Sequence, residues 1–181
     1  ANGEHFELDC IIYASGFEVG TELVRRAGFE TTGRDGVTLT ERWADGMQSL
    51  HGIHVHGFPN LFMVTLGQAA NLISNVPHNY LEAGLTIASI VRHALDIGAE
   101  EVEVTPEAEA AWIERLEAGA QARMTQMPDC TPGYYNNEGQ PIEGRRAVLN
   151  SMAFPEGPVA YFQYIAGWRS TGDFEGLDFR P

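Results

Sequence analysis

The chain has 181 residues, 44% of them hydrophobic, with 25 acidic and 11 basic side chains and a net charge of −14. That length supports one domain with a core of its own, and the composition is that of a globular protein. The negative surplus argues against nucleic acid or an anionic membrane as partner, because phosphate binding needs clustered positive charge, and no apolar run approaches the roughly 20 residues of a membrane span.

The first residues, ANGEHFELDC, carry no initiator Met and no basic-then-apolar leader, so they are not expected to be a signal peptide; the chain is expected to be a piece of something longer. Phe6 to Tyr13 reads as a strand, and its continuous Cys10-Ile11-Ile12-Tyr13 run predicts cover on both faces before a small-residue turn at Ala14-Ser15-Gly16. Val37 to Leu39, between turn signals at Asp35-Gly36 and Asp45-Gly46, predicts a short strand. GIHVHGFPNLFMVTLG predicts a strand pair with Pro59-Asn60 as its turn, and the Leu61 to Leu66 run looks fully buried before it stops at Gly67.

From Val76 the period changes to that of a helix. Pro77 suits the first turn, Asn75 or Ser74 can cap it, and Gly98 ends it; Leu81, Leu85, Ala88, Val91 and Leu95 recur at helical spacing. A second helix begins at Thr105-Pro106-Glu107 and runs through Trp112, Ile113 and Leu116. The stretch QMPDCTPGYYNNEGQPIEG is a long loop of a kind that is often functional. A last helix is predicted from about Pro158 to Trp168, with Val159, Phe162 and Ile165 on one face.

Several residues invite a chemical reading. His51, His54 and His56 form H-x-x-H-x-H; on a strand His54 and His56 would share a face and could reach one metal, although no third ligand is evident nearby. Ser15 beside Gly16 lacks the nucleophile-elbow pattern. Cys10 and Cys130 match no metal or redox spacing and read as reduced thiols of a cytoplasmic protein. The better evidence is the loop from Gly67 to Asn75. An apolar strand emptying into Gly, Gln, Ala and Asn and then a helix start would present backbone N–H donors and the positive end of a dipole to an electron-rich ligand. A tight turn with no ligand is the plain alternative. Tyr134 and Tyr135, flanked by Gly133 and Asn136-Asn137, lean towards a binding surface.

Four segments in order resemble the C-terminal part of the Baeyer–Villiger monooxygenases: LDCIIYASGFE, with Ser15 where the family's usual residue is Thr; ERWADGM; GFPNLFMVTLGQ with the following LISN; and CTPGYYNNEG. The resemblance implies an α/β fold, the C-terminal part of a flavoprotein with two Rossmann-like dinucleotide-binding domains for FAD and NADP, followed by C-terminal helices. It implies that residues 1–13 end the NADP-binding domain, 14–98 form the returning half of the FAD-binding domain, and 99–181 hold the C-terminal helices and a loop on the substrate and cofactor side. It places Val76, with Asn75, Gly67 and Gln68, beside the flavin. Gly133 falls where many relatives carry a Trp that touches the nicotinamide cofactor, so Tyr134 or Tyr135 would have to substitute. Tyr134, Tyr135, Met152 and Phe154 fall on the substrate side.

The implied activity is insertion of one oxygen atom of dioxygen into a ketone, at the expense of NADPH, with no catalytic residue in this stretch. The active-site Arg and both G-x-G-x-x-G fingerprints are expected in a missing N-terminal part of the same protein. The alternatives are an N- or S-oxygenating flavin monooxygenase, or a binding domain that kept the fold without catalysis.

Overall fold

The protein is described by a computed structural model that covers residues 3–13, 24, 27–70, 74–124, 144, 148–150 and 152–181. Its elements are a 3-10 turn at Arg34–Gly36, helix α1 at Leu39–Arg42, α2 at Val76–Ile97, strand β1 at Glu101–Val104, α3 at Pro106–Met124, α4 at Pro158–Thr171 and strand β2 at Leu177–Arg180.

The helix boundaries follow local chemistry. Asn75 caps α2, its side chain accepting from His78 N at 3.1 Å, and Gly98 closes the helix in the left-handed conformation. Pro158 opens α4 and the left-handed Gly172 ends it. Residues 37–39 do not form the expected strand. Thr38 and Glu41 make a reciprocal capping box that starts α1, and only an isolated Thr32–Thr38 bridge remains of sheet pairing.

The other expected strands also differ. Phe6 to Tyr13 makes no strand, and Ile12 and Tyr13 are 85% and 88% exposed. A strand covered on both faces needs neighbours to pair with, and the described residues supply none there. Leu61 to Leu66 is irregular and half-buried: Met63 points inward and donates its N–H to Ile53 O at 2.9 Å, whereas Val64 is exposed. The sheet is instead β1 paired antiparallel with β2, Val102 opposite Phe179. The Pro59-Asn60 turn is present, with Asn60 at φ 57°. Asn60 then stands in for a strand along the free edge of β1. Its N–H donates to Val102 O at 2.9 Å, its Oδ1 accepts from Val102 N at 2.9 Å, and its Nδ2 donates to Glu100 O at 3.0 Å.

The main core gathers Trp112, Ile113 and Leu116 of α3, Leu149, Met152 and Phe154, Tyr161 and Ile165 of α4, and Ile90 and Ala94 of α2. A smaller one holds Leu39, Val55, Phe58 and Met63. Helices α2 and α4 pack together, tied by Arg169, which donates to Glu82 Oε2 at 3.1 Å and Thr86 Oγ1 at 2.9 Å. The buried face of α2 is Asn79, Thr86, Ile90 and Ala94. The residues that recur at helical spacing in the sequence, Leu81, Leu85, Ala88, Val91 and Leu95, lie on the face turned to solvent. On α4 the buried positions are Tyr161 and Ile165, while Val159 is exposed.

Asn60→Gly keeps the left-handed turn but strands the buried N–H of Val102. It is expected to lower stability by about 2 kcal/mol, and Asn60→Ala by somewhat more because Ala resists that φ. Urea unfolding monitored by circular dichroism measures both.

Candidate functional site

The loop leaving the Leu61 to Leu66 run is fixed by one side chain. Gln68 is wholly buried and sits at φ 57°. Its Nε2 donates to Met47 O at 2.6 Å and Leu149 O at 3.2 Å, and its Oε1 accepts from the buried Ser49 hydroxyl at 2.7 Å. Its backbone N donates to Met152 O at 3.0 Å, and its O accepts from Trp112 Nε1 at 3.1 Å. Phe154 N donates to Ala69 O at 2.9 Å, so the segments 68–69 and 152–154 lie paired along their backbones. Gly67 stays half-exposed, whereas Ala69 and Ala70 turn into the core. Gly52 must be a glycine here: at φ 73° it passes so close that a Cβ would stand 2.6 Å from Gly67 O.

Helix α2 begins beyond this loop. In its first turn Pro77 has no N–H, His78 N is taken by the Asn75 cap, and Asn79 N donates to Asn75 O at 3.1 Å. Among the described residues the N–H of Val76 finds no acceptor. It is a free donor at the positive end of a 22-residue helix dipole, half-buried beside the exposed Asn75.

Of the sequence-predicted site residues, the structure therefore places Val76, Asn75 and Gly67 at surface a ligand could touch. The side chain of Gln68 faces the core. Met152 and Phe154 are 1% and 2% exposed and belong to the core, Phe154 lying against Trp112 and Tyr161 with the Arg115 guanidinium 4.4 Å from its ring centre. Gly133, Tyr134, Tyr135, Ser15 and Cys130 lie outside the described residues. Cys10 is an exposed thiol.

The histidines do not line one strand face. Leu50 and His54 bridge a tight turn in which His51 and Gly52 are both left-handed. His51 is buried among Trp112, Tyr164 and Trp168, with its Nε2 3.2 Å from the Tyr164 hydroxyl, and His54 is buried against Phe62. His51 Nδ1 and His54 Nε2 have no hydrogen-bond partner among the described residues. Burial holds His54 down at about 3, and burial, then His54 and Arg115, hold His51 well below its usual range. His56 points elsewhere, its Nδ1 2.9 Å from Val104 O in a cleft of about 540 Å³ shared with Arg34, Arg42, Glu103 and Arg180. Among the described residues no three His, Cys, Asp or Glu side chains are placed to hold a metal ion.

That cleft is an ion-pair network that sequence reading missed, since its members are spread along the chain. Buried Glu103 accepts from Gly57 N at 2.9 Å, Arg34 Nε at 3.0 Å and Arg180 Nη1 at 3.0 Å. Buried Glu109 accepts from His56 N at 2.9 Å and pairs with Arg42. Burial pushes the Glu103 carboxyl up, and the bonds from Arg34 and Gly57 more than offset it, leaving it below the usual carboxylate range.

No family model matches the chain. It is 38% identical to the FAD-binding monooxygenase hmp7 of Hypomyces subiculosus over 97% of its own length and 29% of that protein. It is 38% identical to the Baeyer-Villiger monooxygenase ATR8 of Stachybotrys chlorohalonatus over 98% of its length and 28% of that protein. Among solved structures it resembles a polycyclic ketone monooxygenase of the thermophilic fungus Thermothelomyces thermophila, with TM-score 0.74 and 32% identity over 87% of this chain and 25% of that one. The chain thus spans about three-tenths of the length of the curated relatives it matches.

Gln68→Leu preserves bulk but strands the Ser49 hydroxyl and two buried carbonyls. It is expected to cost about 3–5 kcal/mol in chemical denaturation, three unmade bonds at about 1–3 kcal/mol each, partly relaxed. Acid should weaken the fold through the histidines. His54 titrates near 3 when folded against 6.5 when free, so between those values the unfolded chain binds a proton that the folded chain refuses. This stability is whole above pH 6.5 and declines towards pH 3, by about 1.4 kcal/mol per pH unit for each such histidine. In His54→Leu the pH slope of the unfolding free energy should shrink by about one proton; an unchanged slope would show that His54 is not the group responsible.

Proposed function

From its place among the Baeyer–Villiger monooxygenases, we propose that this chain forms the flavin-side wall and C-terminal helices of an FAD- and NADPH-dependent monooxygenase acting on ketones. What supports the reading is the free N–H of Val76 at the start of α2, in the same loop-to-helix stretch that resembles the family's flavin loop. The chemistry supplied by bound FAD, with NADPH as reductant, is insertion of one oxygen atom of dioxygen into a ketone, giving an ester or lactone.

The residues present fit an electron-rich ring edge. The Val76 N–H and the helix dipole favour negative charge there, an electrostatic contribution that needs no movement of the protein when the charge develops. Asn75 holds the first turn in register, and Gly67 offers backbone without side-chain bulk. Gln68 acts as a positioning residue: its side chain and backbone bonds are directed into the core and fix the loop there. Met152 and Phe154 support the substrate side from behind, through their backbone pairing with residues 68–69. Gly133, Tyr134 and Tyr135 belong to the nicotinamide and substrate side.

The remaining machinery, namely the two dinucleotide fingerprints and an active-site Arg, belongs to a longer polypeptide. In it residues 1–13 would end the NADP-binding domain, 14–98 return to the FAD-binding domain, and 99–181 add the helices. The exposed apolar run from Phe6 to Tyr13 accords with this, since it needs strand neighbours. None of the described helices is long and apolar enough to cross a membrane; a cytoplasmic enzyme is the reading proposed here.

Val76→Pro is the direct test. Proline at the first helical position is tolerated, and Asn75, with ψ 112°, already has the backbone that precedes proline. The change removes the free donor and no helix bond. In the longer flavoprotein it is expected to leave the melting temperature nearly unchanged and to weaken FAD affinity about ten- to a hundredfold, the equivalent of one hydrogen bond to a charged group. Unchanged affinity by fluorescence titration would remove Val76 from the site.

A further inference from the structure

Helix α2 carries two apolar faces. One is used within the chain, burying Thr86, Ile90 and Ala94 against α4 and the main core. The other runs its whole length as Leu81, Leu85, Ala88, Val91 and Leu95, all exposed, with Leu81 at 56% and Leu95 at 70%. A scattered exposed leucine is ordinary; an unbroken helical stripe of them marks a surface that something covers.

We infer that this outer face of α2 is an intramolecular docking surface for the dinucleotide-holding remainder of the longer polypeptide, which meets it with an apolar face of its own. The inference rests on the proposed function and goes beyond it by assigning the surface. Three observations select this occupant over solvent or a second copy. Most of each relative lies outside the matched stretch, 71% or more of its length by the shares of 29% and 28%. The stripe begins about one turn past Val76, so whatever holds the rest of a cofactor against that N–H must also pass Leu81. A second apolar surface, Phe6, Leu8, Ile11 and Ile12, is exposed and has no strand partner among the described residues. One large partner accounts for both.

The test is a comparison of one variant in two settings. Leu85→Glu with Leu95→Glu is introduced into the 181-residue chain and into the longer polypeptide, and melting is followed in each. In the short chain these side chains already meet water, so the midpoint should not move. In the longer polypeptide two carboxylates would be forced into an apolar contact, and the midpoint should fall by several degrees. An equal shift in both, or none in the longer polypeptide, overturns the inference. So does a concentration-dependent dimer of the short chain in sedimentation that the double variant abolishes, because it would give the face to a second copy. The flavin content of the unmutated longer polypeptide is read separately: its absence would defeat the proposed function, while the melting comparison would still decide the docking surface.

Discussion

The structure hangs on the buried amide of Gln68. Every polar atom of that residue is bonded: to the carbonyls of Met47, Leu149 and Met152, to the Ser49 hydroxyl and to the Trp112 indole. Four stretches of chain, distant in sequence, thereby meet at one point that water cannot enter. A buried polar group is costly when unmatched and rigidifying when fully matched. Here the match converts a loop of small residues into a fixed ledge, and it sets the direction in which the chain leaves towards α2.

The second polar solution lies in the cleft around Glu103 and Glu109. Two buried carboxylates accept the backbone N–H groups of Gly57 and His56, and together with the partly exposed Glu101 they balance Arg34, Arg42 and Arg180. This chain is strongly acidic, yet it places three of its 11 arginines at one spot. Neutralisation on this scale makes the cleft a clamp for the turn before Phe58 rather than a receptor for anions. The neighbouring aromatic box takes the opposite course. Burial keeps His51 and His54 uncharged by excluding water, and ties the acid sensitivity of the fold to the turn between Leu50 and His54.

Helix α2 joins the two themes. Its first residue offers a donor and the positive end of a dipole, its inner face belongs to the core, and its outer face remains apolar. A helix placed so can serve as both cofactor wall and structural beam, provided that its outer face is covered. The backbone pairing of 68–69 with 152–154 ties the segment that precedes α4 to the same ledge.

By itself the sequence determined what depends on neighbours in the chain. The cap at Asn75, the stop at Gly98, the proline openings of α3 and α4 and the turn at Pro59-Asn60 were all legible, because each is settled by residues within a turn of one another. The Thr38–Glu41 box was equally local and was overlooked in favour of a strand. Only the tertiary structure decided which face of α2 is buried, since leucines on one side and Thr86, Ile90 and Ala94 on the other give a period that either packing would satisfy. It also turned Gln68 inward, scattered the three histidines and paired β1 with β2. In each case the deciding partner comes from tens of residues away, and burial depends on what arrives from a distance, not on the residue alone.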